Sequence, residues 1–369
     1  MDSRRDPGQG ARDREVNQIS LSGANRPMPS PTPLVYPWPE VPAPGEAFEV
    51  APGLRWIRMP LPFALDHINL WLVDDETGLI AIDTGYAAET TRSHWESILA
   101  ADGRPIERVV VTHCHPDHLG LATWLAEPSK APIHMTQGEF LVGHALWHQL
   151  PGYGVPAMVT HFGQHGLDAS RCQALADRGN AYRRGIAGIP DHFRRLMDGQ
   201  RIALGRHEWE VICGYGHSPE HAALHCADLG VLISGDMLLP RISTNISVYA
   251  AFPDDDPLGW FLASLERFKD LPADTLVLPS HGRPFRGIET RVDELIRHHE
   301  ERCADLLKAC AAPKSAGDLL STLFPRELDT HQVMFAMGET IAHLNYLAVR
   351  GALARVESDD DVVRYRTNH

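Results

Sequence analysis

A short apolar run, Val109-Val110-Val111, delivers the chain into Thr112-His113-Cys114-His115-Pro116-Asp117-His118, and a helical pattern begins at Leu119. Three His and one Asp within six positions at the end of a buried strand constrain this chain more than any other feature. His113 and His115 alternate as the strand ends and can point to one side, while Asp117 and His118 turn at the helix entry to face a second point. Two metal sites a few ångströms apart are therefore geometrically reasonable. Four ligands do not complete two sites. Further candidates stand in Gly216-His217-Ser218-Pro219-Glu220-His221, Ser234-Gly235-Asp236 and Pro279-Ser280-His281-Gly282. Each lies at the carboxyl end of a predicted strand beside Gly or Pro, where a side chain is exposed at a sheet edge.

The remaining pattern predicts the frame for these ends. Residues 1–46 carry Arg, Gly, Ser and many Pro, a texture that builds neither helix nor central strand, so the first 28 are expected to be a disordered tail and the rest an extended strap. Strands are predicted at Leu54–Met59, Ile68–Val73, Leu79–Ile82, Trp209–Ile212, Ala222–Cys226, Val231–Ile233 and Leu276–Leu278, with helices at 89–100, Leu119–Ala126 and Pro257–Phe268. Two β-rich halves with helices suggest an α/β fold, a four-layer αββα sandwich over residues 47–286. Residues 138–199 mix helical patches at Phe140–Leu150 and Ala169–Arg184 with the Pro/Gly-rich stretch Pro151–Pro156, and read as a helical insertion or lid. Residues 287–369 are helical, then form a predicted hairpin of Leu353–Glu357 and Val362–Arg366, a winged-helix-like domain.

Composition excludes several classes. A net charge of −14 gives no general attraction to nucleic acid or anionic membrane. No apolar stretch is long enough to cross a bilayer and the N-terminus is charged where a signal peptide is apolar, so a cytoplasmic location is expected. Six Cys at irregular spacing in 369 residues make no disulfide framework and are expected to be reduced.

The spacing His113-x-His115-x-Asp117-His118, followed in order by His217, Asp236 and His281, resembles the metallo-β-lactamase superfamily. The resemblance covers about residues 50–286. It implies that His113, His115 and His217 bind a first metal, that Asp117, His118 and His281 bind a second, and that Asp236 bridges them. It also implies that Asp83, in Ile82-Asp83-Thr84-Gly85, supports the ligands without being one. The tail pattern is similar to the lactamase-β-2-like and glyoxalase II-like subgroup, where a winged helix packs on the catalytic domain.

Two divalent ions, zinc by default and iron or manganese as the other options, would lower the pKa of bound water toward neutrality and supply a metal-bound hydroxide for hydrolysis, with Asp117 orienting it. His115 stands where redox-active diiron relatives have Glu, and Asp236 argues against antibiotic cleavage as the main function. Leu239 replaces the Tyr of quorum-quenching lactonases, and the 44 residues between Asp236 and His281 are too few for an inserted nuclease domain. Residues 291–369 hold 10 Arg and Lys against 13 Asp and Glu, whereas a nucleic-acid-binding winged helix should be basic. A carboxylic ester, thioester or lactone of a small acyl substrate is thus favoured over RNA. An endoribonuclease is the enzyme alternative, and a regulatory protein with a vestigial site is a third. Substrate contacts are expected from His67, Asn69, Trp147, His148 and Tyr153, with Phe162 as a further wall of an acyl pocket and His221 as a neighbour of the ligands. Structural roles for these residues remain open. The insertion is either a substrate lid or a dimerisation arm, and a homodimer is expected.

Overall fold

The computed structural model describes residues 33–356 and 360–368. The expected disordered tail, and residues 357–359 at the turn of the expected hairpin, lie outside them. From residue 33 to 46 the chain runs through bends and a turn with a single bridge, where Val35 exchanges main-chain hydrogen bonds with Arg286 at 3.2 and 2.9 Å.

The first half runs β1 (Ala47–Ala51), β2 (Leu54–Pro60), β3 (His67–Asp74), β4 (Leu79–Ile82), α1 (Glu89–Asp102), β5 (Ile106–Val110), α2 (Pro116–Leu119), α3 (Ala122–Ala126) and β6 (Ile133–Thr136). It continues through α4 (Gln137–His148), α5 (Val155–Gln164), α6 (Ala169–Arg178) and α7 (Ala181–Arg184) to β7 (Arg194–Leu196). Its sheet has the order β1-β2-β3-β4-β5-β6-β7, antiparallel as far as β4 and parallel from there on. Parallel neighbours need crossovers, and the helices supply them. The second half has β8 (Arg201–Leu204), β9 (His207–Gly214), β10 (His221–Cys226), β11 (Val231–Gly235), α8 (Pro257–Phe268) and β12 (Leu276–Pro279), in the order β12-β11-β10-β9-β8. The tail adds α9 (Ile288–Ala309), α10 (Ala316–Leu323), α11 (Thr330–Val349) and the pair β13 (Leu353–Val356) and β14 (Arg364–Thr367).

Strand alternation divides the apolar residues into layers. Leu54, Trp56, Trp71, Ile80, Ile82 and Val110 of the first sheet form one core with Trp209, Val211, Leu224, Ile233 and Leu278 of the second. Ile57, Met59, Leu70, Leu72 and Ala81 point the other way, against Trp95, Ile98 and Leu125 of α1 and α3. Ile212, Ala223, Leu232 and Val277 likewise face Phe261, Leu265, Val292 and Leu344 of α8, α9 and α11. This is the αββα sandwich.

Several elements differ from expectation. The helix expected from Leu119 to Ala126 is two, split at Gly120-Leu121. A Cβ on Gly120 would collide with the carbonyls of Gly85, Pro116 and Gly185, so the chain is pressed between loops there. Ala169–Arg184 also breaks, at Gly179, whose φ of 61° leaves the helical region. Pro156 lies in the first turn of α5, where its missing N–H costs nothing, so part of the stretch expected to be irregular is helical. The insertion ends inside the sandwich, because β7 pairs with β6. The second strand of the hairpin is displaced two residues, to Arg364. No helix among the described residues is long and apolar enough to cross a membrane.

Candidate metal centre

Four strand ends converge at one edge of the sandwich. The chain leaves β5 for His113, His115, Asp117 and His118, leaves β9 for His217, leaves β11 for Asp236 and leaves β12 for His281. Main-chain bonds fasten these exits together: Ala222 N–H donates to Thr112 O (2.8 Å), and Ser280 N–H to Gly235 O (3.2 Å).

The ligating atoms form two groups. His113 Nε2 lies 3.0 Å from His115 Nδ1 and 3.2 Å from His217 Nε2. His281 Nε2 lies 3.4 Å from Asp117 Oδ2, and His118 Nε2 lies 3.7 Å from the same oxygen. Asp236 stands between them, with Oδ2 3.4 Å from His217 Nε2, and Oδ1 3.4 Å from His281 Nε2 and 3.6 Å from His118 Nε2. Donors on a tetrahedral ion with bonds of about 2.0–2.1 Å sit about 3.3 Å apart, so these spacings are those of ligands around a common centre. His118 Nε2 and Asp236 Oδ1 are also buried with no hydrogen-bond partner. Unpartnered buried polar atoms are costly, and a cation between them would satisfy both. The residues fit divalent metal ions.

The outward nitrogens are held by specific partners, which fixes each ring's orientation. His118 Nδ1 meets Asp83 Oδ2 at 2.7 Å, His217 Nδ1 donates to Asn245 O at 2.7 Å, and His281 Nδ1 donates to His67 O at 2.8 Å. Asp83 also accepts from the Thr112 N–H and hydroxyl, both at 2.8 Å, from a left-handed backbone (φ 59°) sparsely populated outside glycine. Gly235 has φ 54°, and a Cβ there would strike His221 Nε2, the atom that accepts from Asp236 N–H at 3.1 Å.

Electrostatics divides the imidazoles. Burial, reinforced by the neighbouring His118, His115 and His217, drives His113 well below the usual histidine range, and burial takes His115 down to about 3. Both rings are neutral and present lone pairs. Burial opposes charge on His118 and His281 too, yet Asp83, Asp117 and Asp236 raise His118 well above its ordinary value, and Asp236 with Asp117 raises His281 to about 10. Burial favours the neutral acids, but the same imidazoles hold Asp117 near about 2 and Asp236 well below the carboxylate range. A cation bound between these groups would balance the carboxylates in place of the imidazoles.

The expected substrate contacts fare differently. Asn69 is fully buried, with its side chain donating to Pro279 O and Gly282 O and accepting from Trp56 Nε1, so it anchors the His281 loop and cannot meet substrate. His221 is buried under Asp236, which removes it from substrate as well. The His67 ring takes Gly282 N–H on Nε2 (2.8 Å) and Asp66 on Nδ1 (2.6 Å), and this ties it to the same loop. Trp147 lies beneath Arg183, exposed His148 stacks on His144, and Tyr153 packs on Tyr249 and Phe252. Phe162 is 3% exposed in the core shared with the tail, so it walls no acyl pocket.

Sequence reasoning passed over Glu139. This buried carboxylate, in the first turn of α4, accepts from Cys114 N–H (2.8 Å), Ser218 Oγ (2.7 Å) and Glu220 N–H (2.7 Å), and so binds the loops of His115 and His217 together. Tyr182 donates its hydroxyl to Cys114 O at 2.7 Å. Asn245 was also missed. Its amide donates to Glu339 Oε2 of α11 at 3.2 Å while its carbonyl holds His217, so the tail reaches a metal-site histidine through one residue. No motif marks these residues; an acid in a helix's first turn is ordinary capping chemistry.

Comparison with known proteins agrees with this geometry. Residues 64–281 match the metallo-beta-lactamase superfamily, and residues 303–368 match the metallo-beta-lactamase-like C-terminal domain. The probable metallo-hydrolase YqjP of Bacillus subtilis (strain 168) is 26% identical over 313 residues, 80% of this chain and 92% of that protein. The crystal structure of a beta-lactamase domain protein from Burkholderia ambifaria is similar at 47% identity and a TM-score of 0.85, covering 91% of this chain and 98% of that one. A metallo-beta-lactamase family protein from Thermus thermophilus follows at 31% identity and a TM-score of 0.75, covering 87% of this chain and 100% of that one. With its strand-end histidines gathered as this fold requires, the chain belongs to the metallo-β-lactamase superfamily and is a metallo-hydrolase.

Proposed function

We propose that this metallo-hydrolase is dinuclear and cleaves a carboxylic ester, thioester or lactone of a small acyl substrate, with zinc as its ion. The observation that supports two ions is the division of Asp236, whose Oδ2 faces His217 and whose Oδ1 faces His118 and His281. His113, His115 and His217 would hold one ion, Asp117, His118 and His281 the other, with Asp236 common to both. Bound metals acidify water and polarise a scissile carbonyl. The chain's own residues do the positioning: Asp83, Asn245 and the His67 carbonyl aim three imidazoles, and Glu139 sets the distance between two ligand loops. Asp117, with a side chain 20% exposed against 10% for Asp236, is the carboxylate that would orient the attacking water.

The acidic balance of residues 291–369 weighs against RNA. The same reading takes the tail as a winged-helix-like unit that mediates self-association or walls the site, with a homodimer expected. Elemental analysis of protein purified without chelator should give about two equivalents of metal, consistent with two complete donor sets. A panel of acyl-CoA, glutathione thioester, lactone and single-stranded RNA then separates the chemistries. Well under one equivalent after reconstitution would sink the dinuclear assignment, and cleavage of RNA alone would replace carbonyl hydrolysis by endoribonuclease activity.

A further inference from the structure

Residues four and eight apart on a helix share a face, and His331, Phe335 and Glu339 form such a stripe on α11. Its two ends are fastened to different ligand loops. At the first end the His331 ring is 5.1 Å from half-buried Phe63, in the loop between β2 and β3, and Phe63 is 5.3 Å from Tyr86. Tyr86 in turn closes on Pro116, the residue between His115 and Asp117, with Gly185 so tightly between them that a Cβ there would strike both. At the second end Glu339 Oε2 accepts from the Asn245 side-chain amide at 3.2 Å, and Asn245 O holds His217 Nδ1 at 2.7 Å. Gly338 tightens this contact, because a Cβ on it would collide with the Ser247 hydroxyl. From His331 to Glu339 the helix rises about 12 Å, enough to span the gap between the two loops in which the ligand atoms converge.

Phe335 stands midway along the stripe. Its carbonyl accepts from the Asn245 amide at 3.4 Å, its ring is 4.9 Å from His331, and the residue is 39% exposed. Burial, reinforced by Arg178 and opposed by Asp329, keeps His331 below the usual histidine range, so the row Phe63, His331, Phe335 is uncharged near neutral pH. The insertion supplies no comparable surface at the site. Phe162 lies in the core, Trp147 lies beneath Arg183, and Tyr153 packs on Tyr249 and Phe252.

We infer that Phe335, with His331 and Phe63 beside it, is the wall on which the acyl chain of the substrate lies, and that this wall selects apolar acyl groups longer than acetyl. The inference rests on the carbonyl-hydrolase reading and narrows its substrate class to esters or thioesters of apolar acids. Each methylene covered by such a wall is worth up to about fourfold in affinity, so preference should grow along a homologous series.

The test has a binding arm that does not depend on turnover. In calorimetric titration of the metal-loaded protein, hexanoate is expected to bind more tightly than acetate, which offers the same carboxylate without the chain. Phe335→Ala should shrink that preference by about tenfold or more, and Phe335→Leu should keep part of it. In the kinetic arm, the ratio of kcat/KM for the hexanoyl thioester of N-acetylcysteamine to that for the acetyl thioester should fall by a similar factor in Phe335→Ala and in Phe63→Ala. Metal content and sedimentation are measured on each variant. Hexanoate binding no tighter than acetate in the wild type, or preferences unchanged in both variants, would overturn the wall. Monomers formed by Phe335→Ala from a wild-type dimer, with the chain-length preference intact, would also overturn it by making Phe335 a subunit contact. If no thioester is turned over while Phe335→Ala still loses the preference for hexanoate, the hydrolase reading fails and the apolar wall stands.

Discussion

Asp236 gives one oxygen to each histidine group, so its removal should act on both at once. Asp236→Ala is expected to take metal content from about two equivalents to well under one, whereas His115→Ala, which touches one group, should leave the second ion in place. Elemental analysis of the two variants side by side decides this, and a variant lacking the Asp236 carboxylate that retains both ions would contradict the bridging role. Glu139 offers a subtler case. It touches no candidate ligand atom, but three donors from two ligand loops end on its carboxylate. Glu139→Ala should weaken metal binding by about 10–100-fold, the usual scale for groups that orient ligands, with Glu139→Gln intermediate because one acceptor remains. Competition with a chromogenic chelator measures it; unchanged affinity in both variants would reduce Glu139 to a folding residue. The seven candidate ligands were legible because they cluster in short runs just past predicted strands, most of them beside Gly or Pro. Glu139 and Asn245 were not, since what matters in them is which loops they meet after folding. Asn69 differed for the opposite reason: a polar residue near a strand start looks available until hydrogen bonds bury it, whereas His221 lies beside the ligands, accepting from Asp236 N–H.

Elements were legible where the apolar run was unbroken, even at four residues as in β4 and β12, and illegible where it was interrupted. β2, β3 and β9 announced themselves, but β6, β7 and β8 have three or four residues each, and β7 is Arg194-Arg195-Leu196, with no alternation to read. Their strand character comes from pairing with neighbours. The junction of α1 with the first sheet carries a prediction of its own. Asp102, at the end of α1, pairs with Arg104 at 2.7 Å and with Arg55 of β2 at 2.8 Å; the Arg104 hydrogen bond, opposed by burial and joined by Arg55, lowers its pKa to about 2. An acid depressed on folding contributes stability that is complete above its unfolded value near 3.9 and disappears as pH falls toward about 2. Metal-free Asp102→Asn should therefore have a lower urea midpoint than wild type near neutral pH, and the gap should close below pH about 4. A gap of constant size across that range would show that the ion pairs at this junction add nothing to stability.

At the scale of the whole molecule, chain order and core membership disagree in an informative way. The change of texture after Gly287 reads as a boundary, and the elements do change there from sandwich to helices. The apolar residues nevertheless form one continuous core, in which Leu306, Leu319, Ile341, Leu344 and Tyr365 of the tail pack with Phe261 and Leu265 of α8, with Leu232 and Val277 of the second sheet, and with Phe162 and Leu175 of the insertion. Periodicity in a sequence shows which face of a helix is apolar but not which partner will cover it. Here the outer face of the second sheet needs that cover, so the tail and the sandwich should lose structure together. Calorimetry is expected to show one transition for the full chain, and Leu344→Ala, which empties a fully buried position, should lower that transition by about 2–5 kcal/mol of stability without dividing it. Because α11 carries both Leu344 and the Glu339 that holds Asn245, the same variant should lose metal affinity as it nears its midpoint. A separate low-temperature transition that leaves metal binding intact would mean that the tail folds on its own and that the metal centre does not depend on it.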